Sequence, residues 1–217
     1  MRNIFLWIAV IGLLVTSCAK FDAANSEFSK GLENKGLKEL RLDLIQNLTD
    51  INANIELLKV CKKSNEIIIK QIENSLPYHD SLDYHFANVY PYLIFSPNET
   101  TFTYLKQKGM FLISNDSIRE AVSDLYGVQY EVYSSFERIY FVEHYTNYIK
   151  PMFITEFETF KFYRSFKPRR YSEFIKNHEY KRIMRYTIDA VQSFIFMQSN
   201  LKKNIEKLIV DIDEEVN

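Results

Sequence analysis

Glycine and proline are scarce, with five of each in 217 residues, and cysteine is scarcer still, with two. So little glycine excludes collagen-like chains and the glycine-rich compositions that stay unfolded. Two cysteines exclude a disulfide framework and the paired-cysteine zinc patterns. An excess of one charge is also missing: 27 lysines and arginines face 28 aspartates and glutamates, for a formal net charge of −1. General nucleic-acid binding wants a strong basic excess, so that class is excluded. There is no phosphate-binding glycine loop, no Gly-x-Ser-x-Gly and no His-Glu-x-x-His, which removes the common signatures of nucleotide, acyl-transfer and metalloprotease chemistry. No internal repeat or low-complexity tract interrupts the chain. What is abundant is aromatic: 17 phenylalanines and 15 tyrosines, enough to fill a large core.

Long hydrophobic runs are absent as well. Ile4 to Val15 is an apolar run of twelve residues preceded by Arg2, whereas a bilayer-spanning helix needs about 20. The run suits a signal-peptide core, and Val15-Thr16-Ser17-Cys18 resembles a bacterial lipobox. Residues 1–17 are therefore expected to be a lipoprotein signal peptide, with Cys18 as the lipidation site. The alternative is a short uncleaved membrane helix over residues 4–19. If Cys18 carries lipid, Cys61 has no partner within the chain and reads as a small buried apolar residue. Residues 18–36 are small, polar and unpatterned, and read as a flexible tether.

Residues 37–215 read as a single all-α domain. Leu37, Leu44, Ile51, Leu58 and Ile72 recur at seven-residue spacing, and Leu40, Leu48, Ile55, Cys61 and Ile68 widen the face. That pattern predicts an amphipathic helix over residues 37–75. Asn65 interrupts the stripe and is expected to face a wet gap. A second stripe, including Ile183, Met184, Val191, Phe194, Leu201, Ile205 and Leu208, predicts a helix over residues 179–210. Fraying is expected beyond it, because Asp211, Asp213, Glu214 and Glu215 crowd a C-terminus where acids are unfavourable. The two long helices are expected to pair antiparallel in an elongated bundle. Between them, residues 116–148 predict a further helix, broken at Lys150-Pro151 and continued through residues 152–166, and no β pattern competes.

Residues 76–119 are dense in starts and stops. Pro77, Pro91 and Gly109 end elements, while Asp80, Ser96-Pro97-Asn98-Glu99 and Ser114-Asn115-Asp116 are candidate caps. LPYHDSLDYHF, FSPNETTFTYLKQKG and LISNDSIREAVSDLY resemble the core of an uncharacterised bacterial family of membrane-anchored helical proteins. The resemblance covers about residues 37–215. It implies one N-terminal anchor, a long helix, this short-helix block and more helices after it. It supplies no catalytic residues. The chain departs from the family in its short N-terminal run.

Three groups of residues are candidates for function. His79, Asp80, Asp83 and His85 hold ligand types suited to zinc or iron, and the same residues serve equally as caps and packing. Lys161, Arg164, Lys167, Arg169, Arg170, Lys181, Arg182 and Arg185 form the one basic cluster, a patch for anionic partner groups or a solvated turn. The aromatic stripe between Tyr126 and Phe166 reads as core, with a small-ligand pocket as the alternative. No cofactor is implied. The expected function is that of a non-enzymatic protein anchored in the bacterial cell envelope, facing the periplasm or exterior, that binds or spaces a protein partner. The alternatives are a metal-dependent hydrolase and a small-ligand sensor.

Overall fold

The structure is a computed structural model that describes residues 2–92 and 94–217, with side chains from residue 27 onward. The expected signal peptide, the lipidation candidate Cys18 and the first part of the tether lie outside the described side chains. Among the described residues no helix is long and apolar enough to cross a membrane.

Two long helices frame the fold. α1 (Arg2–Glu73) packs over its C-terminal half against α8 (His178–Val216). Their apolar stripes meet as the spacing predicts: Leu37, Leu44, Ile51, Leu58 and Ile68 are fully buried, as are Met184, Val191, Ile205 and Ile212. Burial of each such side chain contributes roughly 1.5–3 kcal/mol. Polar pairs flank the seam and run antiparallel. Arg41 binds Asp213 bidentately at 2.6 and 3.0 Å, Lys202 reaches Asn52 at 2.8 Å, Lys62 reaches Gln192 at 2.6 Å, and Lys181 reaches Glu73 at 2.9 Å. In each pair the residue numbers add to 254, so the register holds without slippage from one end to the other.

At one end of the seam both helices extend further than the sequence indicates. Residues 27–36, expected as part of a flexible tether, belong to α1. Glu33 accepts from the Ser114 N–H and hydroxyl at 2.6 and 2.8 Å, and Gly36 is buried where a Cβ would stand 3.2 Å from Leu105. At the other terminus α8 does not fray after residue 210. Ile212 is buried, Asp213 is paired with Arg41, and Glu215 accepts from Asn115 at 2.6 Å. These contacts offset the unfavourable acids at the helix end.

The intervening block holds α2 (Leu82–Ala87), α3 (Thr100–Lys108) and α4 (Asp116–Asp124). Asn115 caps α4, accepting from Ser117 and Ile118, and Gly109 closes α3 at φ 104°. Asp80 does not cap α2, which starts at Ser81 without a side-chain cap. α3 is capped partly by Asn98 and partly from α1, where Asp43 accepts the Thr101 N–H at 2.9 Å. The irregular chain between α2 and α3 is buried at Asn88 to Pro91 and at Phe95, and helix side chains bond its backbone at Val89, Phe95 and Asn98. Asn65 is not in a wet gap: it is fully buried and donates to Val89 O at 2.7 Å. Asn47, equally buried, accepts the Asn98 N–H at 2.6 Å and donates to Asn98 O at 3.2 Å.

α4, α5 (Tyr130–Glu137) and α6 (Lys150–Glu156) form one helical run, joined through the π turns Leu125–Gln129, Arg138–Val142 and Tyr145–Ile149. Pro151 does not break it. The wider π turn just before the proline accommodates its ring and its missing N–H. The expected helix over residues 152–166 is corrected beyond α6. The chain turns into an antiparallel hairpin of β1 (Phe157–Lys161) and β2 (Ser165–Pro168), pairing Phe160 with Phe166 and Lys161 with Ser165. The hairpin form buries Phe157 and Phe166 against Phe153, while Phe157 also meets Phe86 and Phe174. α7 (Tyr171–Phe174) follows without a side-chain cap, and Asn177 caps α8 through Glu179 N.

Asn52→Cys with Lys202→Cys should crosslink under mild oxidation. Asn52→Cys with Gln192→Cys, ten residues and ~15 Å out of register, should not; efficient crosslinking of the second pair would refute the register. Asn47→Leu should cost about 2 kcal/mol in chemical denaturation, because it strands the Asn98 backbone groups. A loss below about 0.5 kcal/mol would show that they find other partners.

Candidate functional site

Chain geometry gathers the sequence candidates at the C-terminal end of α1. There the hairpin, α2, α7 and the start of α8 converge. The basic cluster does not stay together. Glu73 takes Lys181 and Arg185 at 2.9 and 2.7 Å, and the Lys181 hydrogen bond holds its carboxyl below the usual range. Arg170 pairs locally with Glu173 at 3.1 Å. Arg182 stands apart, in a cleft between α8 and the helical run. Lys161, Arg164, Lys167 and Arg169 remain on the hairpin and its exit. All four are exposed, and their side chains make no salt bridge or hydrogen bond among the described residues.

Aromatic surface accompanies these cations. Phe160, Phe162 and Tyr163 are exposed at the hairpin tip. The tip is held in a fixed shape at some conformational cost. Tyr163 and Tyr92 lie in the left-handed region at φ 62° and 45°, unusual for aromatic residues. Their rings pack 5.5 Å apart, the Tyr163 hydroxyl donates to Tyr92 O at 3.3 Å, and Asn88 donates to Tyr163 O at 3.3 Å.

The histidine and aspartate candidates are engaged separately. His79 meets Ser81 Oγ at 2.6 Å, His85 meets Ser64 Oγ at 3.2 Å, and Asp83 accepts from the Tyr78 hydroxyl at 2.6 Å. Burial pushes His85 below its usual pKa. Among the described residues, no group of three or more His, Cys, Asp or Glu is placed to hold a metal ion. The aromatic stripe from Tyr126 to Phe166 is largely internal packing: Tyr126, Tyr130, Tyr133, Phe141, Phe153, Phe157 and Phe166 are buried.

Two titratable groups on the helical run escaped sequence reasoning, since no motif surrounds them. Glu137 is 4% exposed; it accepts the Phe95 N–H at 3.1 Å and the Tyr133 hydroxyl at 3.4 Å. Burial outweighs these donors and pushes its pKa up to about 7. His144 is 6% exposed and bonded through Nε2 to Thr187 Oγ1 at 2.9 Å; burial pushes it down to about 4. His144 lines an open cleft of about 460 Å³ with Glu143, Tyr148, Glu179, Arg182 and Tyr186. Comparison of the chain with protein-family models, curated proteins and solved structures gives no match.

The two buried groups should impose opposite pH dependences on stability. Glu137 has a raised folded pKa, so its contribution is full at low pH and is lost as pH rises from about 4.5 to about 7. His144 has a lowered folded pKa, so its contribution is full above about 6.5 and is lost as pH falls toward about 4. Between about pH 4.5 and 6.5 they cancel. Relative to wild type, Glu137→Gln should gain stability as pH rises through this window, and His144→Gln should lose it. Each slope is bounded by about 1.4 kcal/mol per pH unit. Denaturation series across pH check this; parallel curves for both variants would refute it.

Proposed function

We propose that the protein is a non-enzymatic helical stalk, anchored in the bacterial cell envelope through lipid on Cys18, that presents a rigid basic hairpin to an acidic protein partner. The observation that carries this reading is the hairpin itself: Lys161, Arg164, Lys167 and Arg169 without partners among the described residues, interleaved with exposed Phe160, Phe162 and Tyr163. Isolated surface cations cost little and mean little. Four together, beside aromatic surface on a strained and well-held turn, form the charged and aromatic mixture that protein interfaces favour. The anchor belongs to the N-terminal end of α1 and the hairpin to its C-terminal end, one helix length away. That placement favours a partner away from the protein's own membrane. Neither alternative has comparable support. Of the metal-hydrolase residues, His79, Asp83 and His85 are engaged one by one and Asp80 is exposed, and seven rings of the aromatic stripe are packed in the core.

The test replaces Lys161, Arg164, Lys167 and Arg169 with Glu together. Because these side chains hold nothing else in place, stability should change by no more than about 0.5 kcal/mol. Wild type should bind polyglutamate with an affinity that falls steeply with salt, and the variant should not bind. Crosslinking in the native envelope should yield an acidic protein adduct with wild type and none with the variant. Equal crosslinking by both would overturn the proposal. So would binding to vesicles of anionic lipid in preference to polyglutamate, which would make the partner a membrane.

A further inference from the structure

The cleft beside α8 is independent of the hairpin and has a different chemistry. Two π turns, Arg138–Val142 and Tyr145–Ile149, fall within twelve residues on one wall. Each inserts a residue into the helical repeat and re-aims the side chains around it, a feature often found at functional sites. The result places Glu143, His144 and Tyr148 on one side and Glu179, Arg182 and Tyr186 of α8 on the other. Three rings run together along the cleft, with His144 at 5.5 Å from Tyr148 and 4.7 Å from Tyr186. The volume of about 460 Å³ suits a small organic molecule.

The hydrogen bonds fix what such a molecule must offer. Thr187 donates its hydroxyl proton to Ile183 O at 2.9 Å, so its oxygen accepts from His144 Nε2. The proton of the neutral imidazole is then on Nε2, and Nδ1 is an acceptor without a partner among the described residues. An acceptor left free on a residue of the cleft wall can take a donor from a ligand or from water. Glu143 and Glu179 are exposed and make no salt bridge among the described residues; Arg182 is the single cation of the lining. Two free carboxylates and ring faces both favour a cation. A metal ion is a poor fit, since no ligating group of three is assembled among the described residues.

We infer that this cleft binds a small organic ammonium compound, whose N–H donates to His144 Nδ1 and whose charge lies among Glu143, Glu179 and the rings of Tyr148 and Tyr186. Arg182 offers a counter-charge to a carboxylate on the same ligand, so amino acids belong to the class as well as simple amines.

Calorimetry on the full chain tests this with matched probes: tyramine, tyrosine, neutral tyrosol and anionic 4-hydroxyphenylacetate, with spermidine as an aliphatic amine. Tyramine should bind, and tyrosol and 4-hydroxyphenylacetate should bind at least tenfold more weakly. Glu143→Gln with Glu179→Gln should weaken tyramine at least tenfold. Both positions are exposed, so the double variant keeps its fold. Tyr148→Leu should weaken it several-fold, and Arg182→Ala should weaken tyrosine while sparing tyramine. The inference is overturned if no amine in the panel binds, if tyrosol matches tyramine, or if the double Gln variant binds as wild type does.

Discussion

The constant register of the α1–α8 seam is the constraint on which the rest depends. It begins at Arg41–Asp213 and ends at Glu73–Lys181 without a slip. The chain that leaves α1 at Glu73 must therefore re-enter α8 at the same end. Yet Ser114 contacts Glu33 and Asn115 contacts Glu215, at the opposite end. The intervening chain consequently descends the full seam and climbs back. The climb is the helical run from α4 to α6. At 1.5 Å per residue, residues 116–156 span about 60 Å, the same rise as residues 33–73 of α1. The long third helix is thus required by the seam as well as favoured by its own sequence.

The descent is less regular and needs more support. Where its backbone is buried beside helices whose own hydrogen bonds are already made, side chains must satisfy it. They do so in order down the seam: Asn65 at Val89, Glu137 at Phe95, Asn47 at Asn98, Asp43 at Thr101 and Glu33 at Ser114. Stranding any one buried partner costs on the order of 1–3 kcal/mol, comparable with a buried leucine. The arrangement is not perfect. Asn65 Oδ1 and Gln198 Oε1 are buried with no hydrogen-bond partner among the described residues. Glu137 also carries a carboxyl where burial disfavours its charge, and its raised pKa reflects the conflict between holding the Phe95 N–H and losing water.

What was legible in the sequence follows from this division. The seam could be read because its apolar positions repeat at the helical period, and Gly109 and Asn115 because their roles are local. The pegs could not, because the cap on α3 comes from Asp43, 58 residues away from Thr101. Asn65 looked like a flaw in a stripe; only the path of residues 88–98 shows what it holds. The hairpin was hidden by ambiguity of period. Phe153, Phe157 and Phe160 fit a helix, while Phe160, Phe162 and Phe166 share one strand parity. Tertiary packing on Phe86 and Phe174 decides between them. The π turns leave no composition signal, so although the aromatic stripe offered a pocket as its alternative reading, the Glu143 and His144 wall of the cleft was not legible.

Along the sequence, residues 161–185 read as one basic cluster, but folding separates its charges by what faces them. Glu73 pairs with both Lys181 and Arg185 at the top of the seam. That leaves the hairpin with a surplus of cations, while the cleft, with Glu143 and Glu179 against Arg182 alone, has a surplus of anions. Screening at physiological salt confines each exposed surplus to about 8 Å. Both are held on rigid supports, one by strained tyrosines in contact and the other by π turns against α8. An anionic group is drawn to the hairpin and disfavoured by the cleft, and a cation the reverse. The near-neutral composition therefore conceals two surfaces of opposite sign, and occupation of one leaves the charge complement of the other intact.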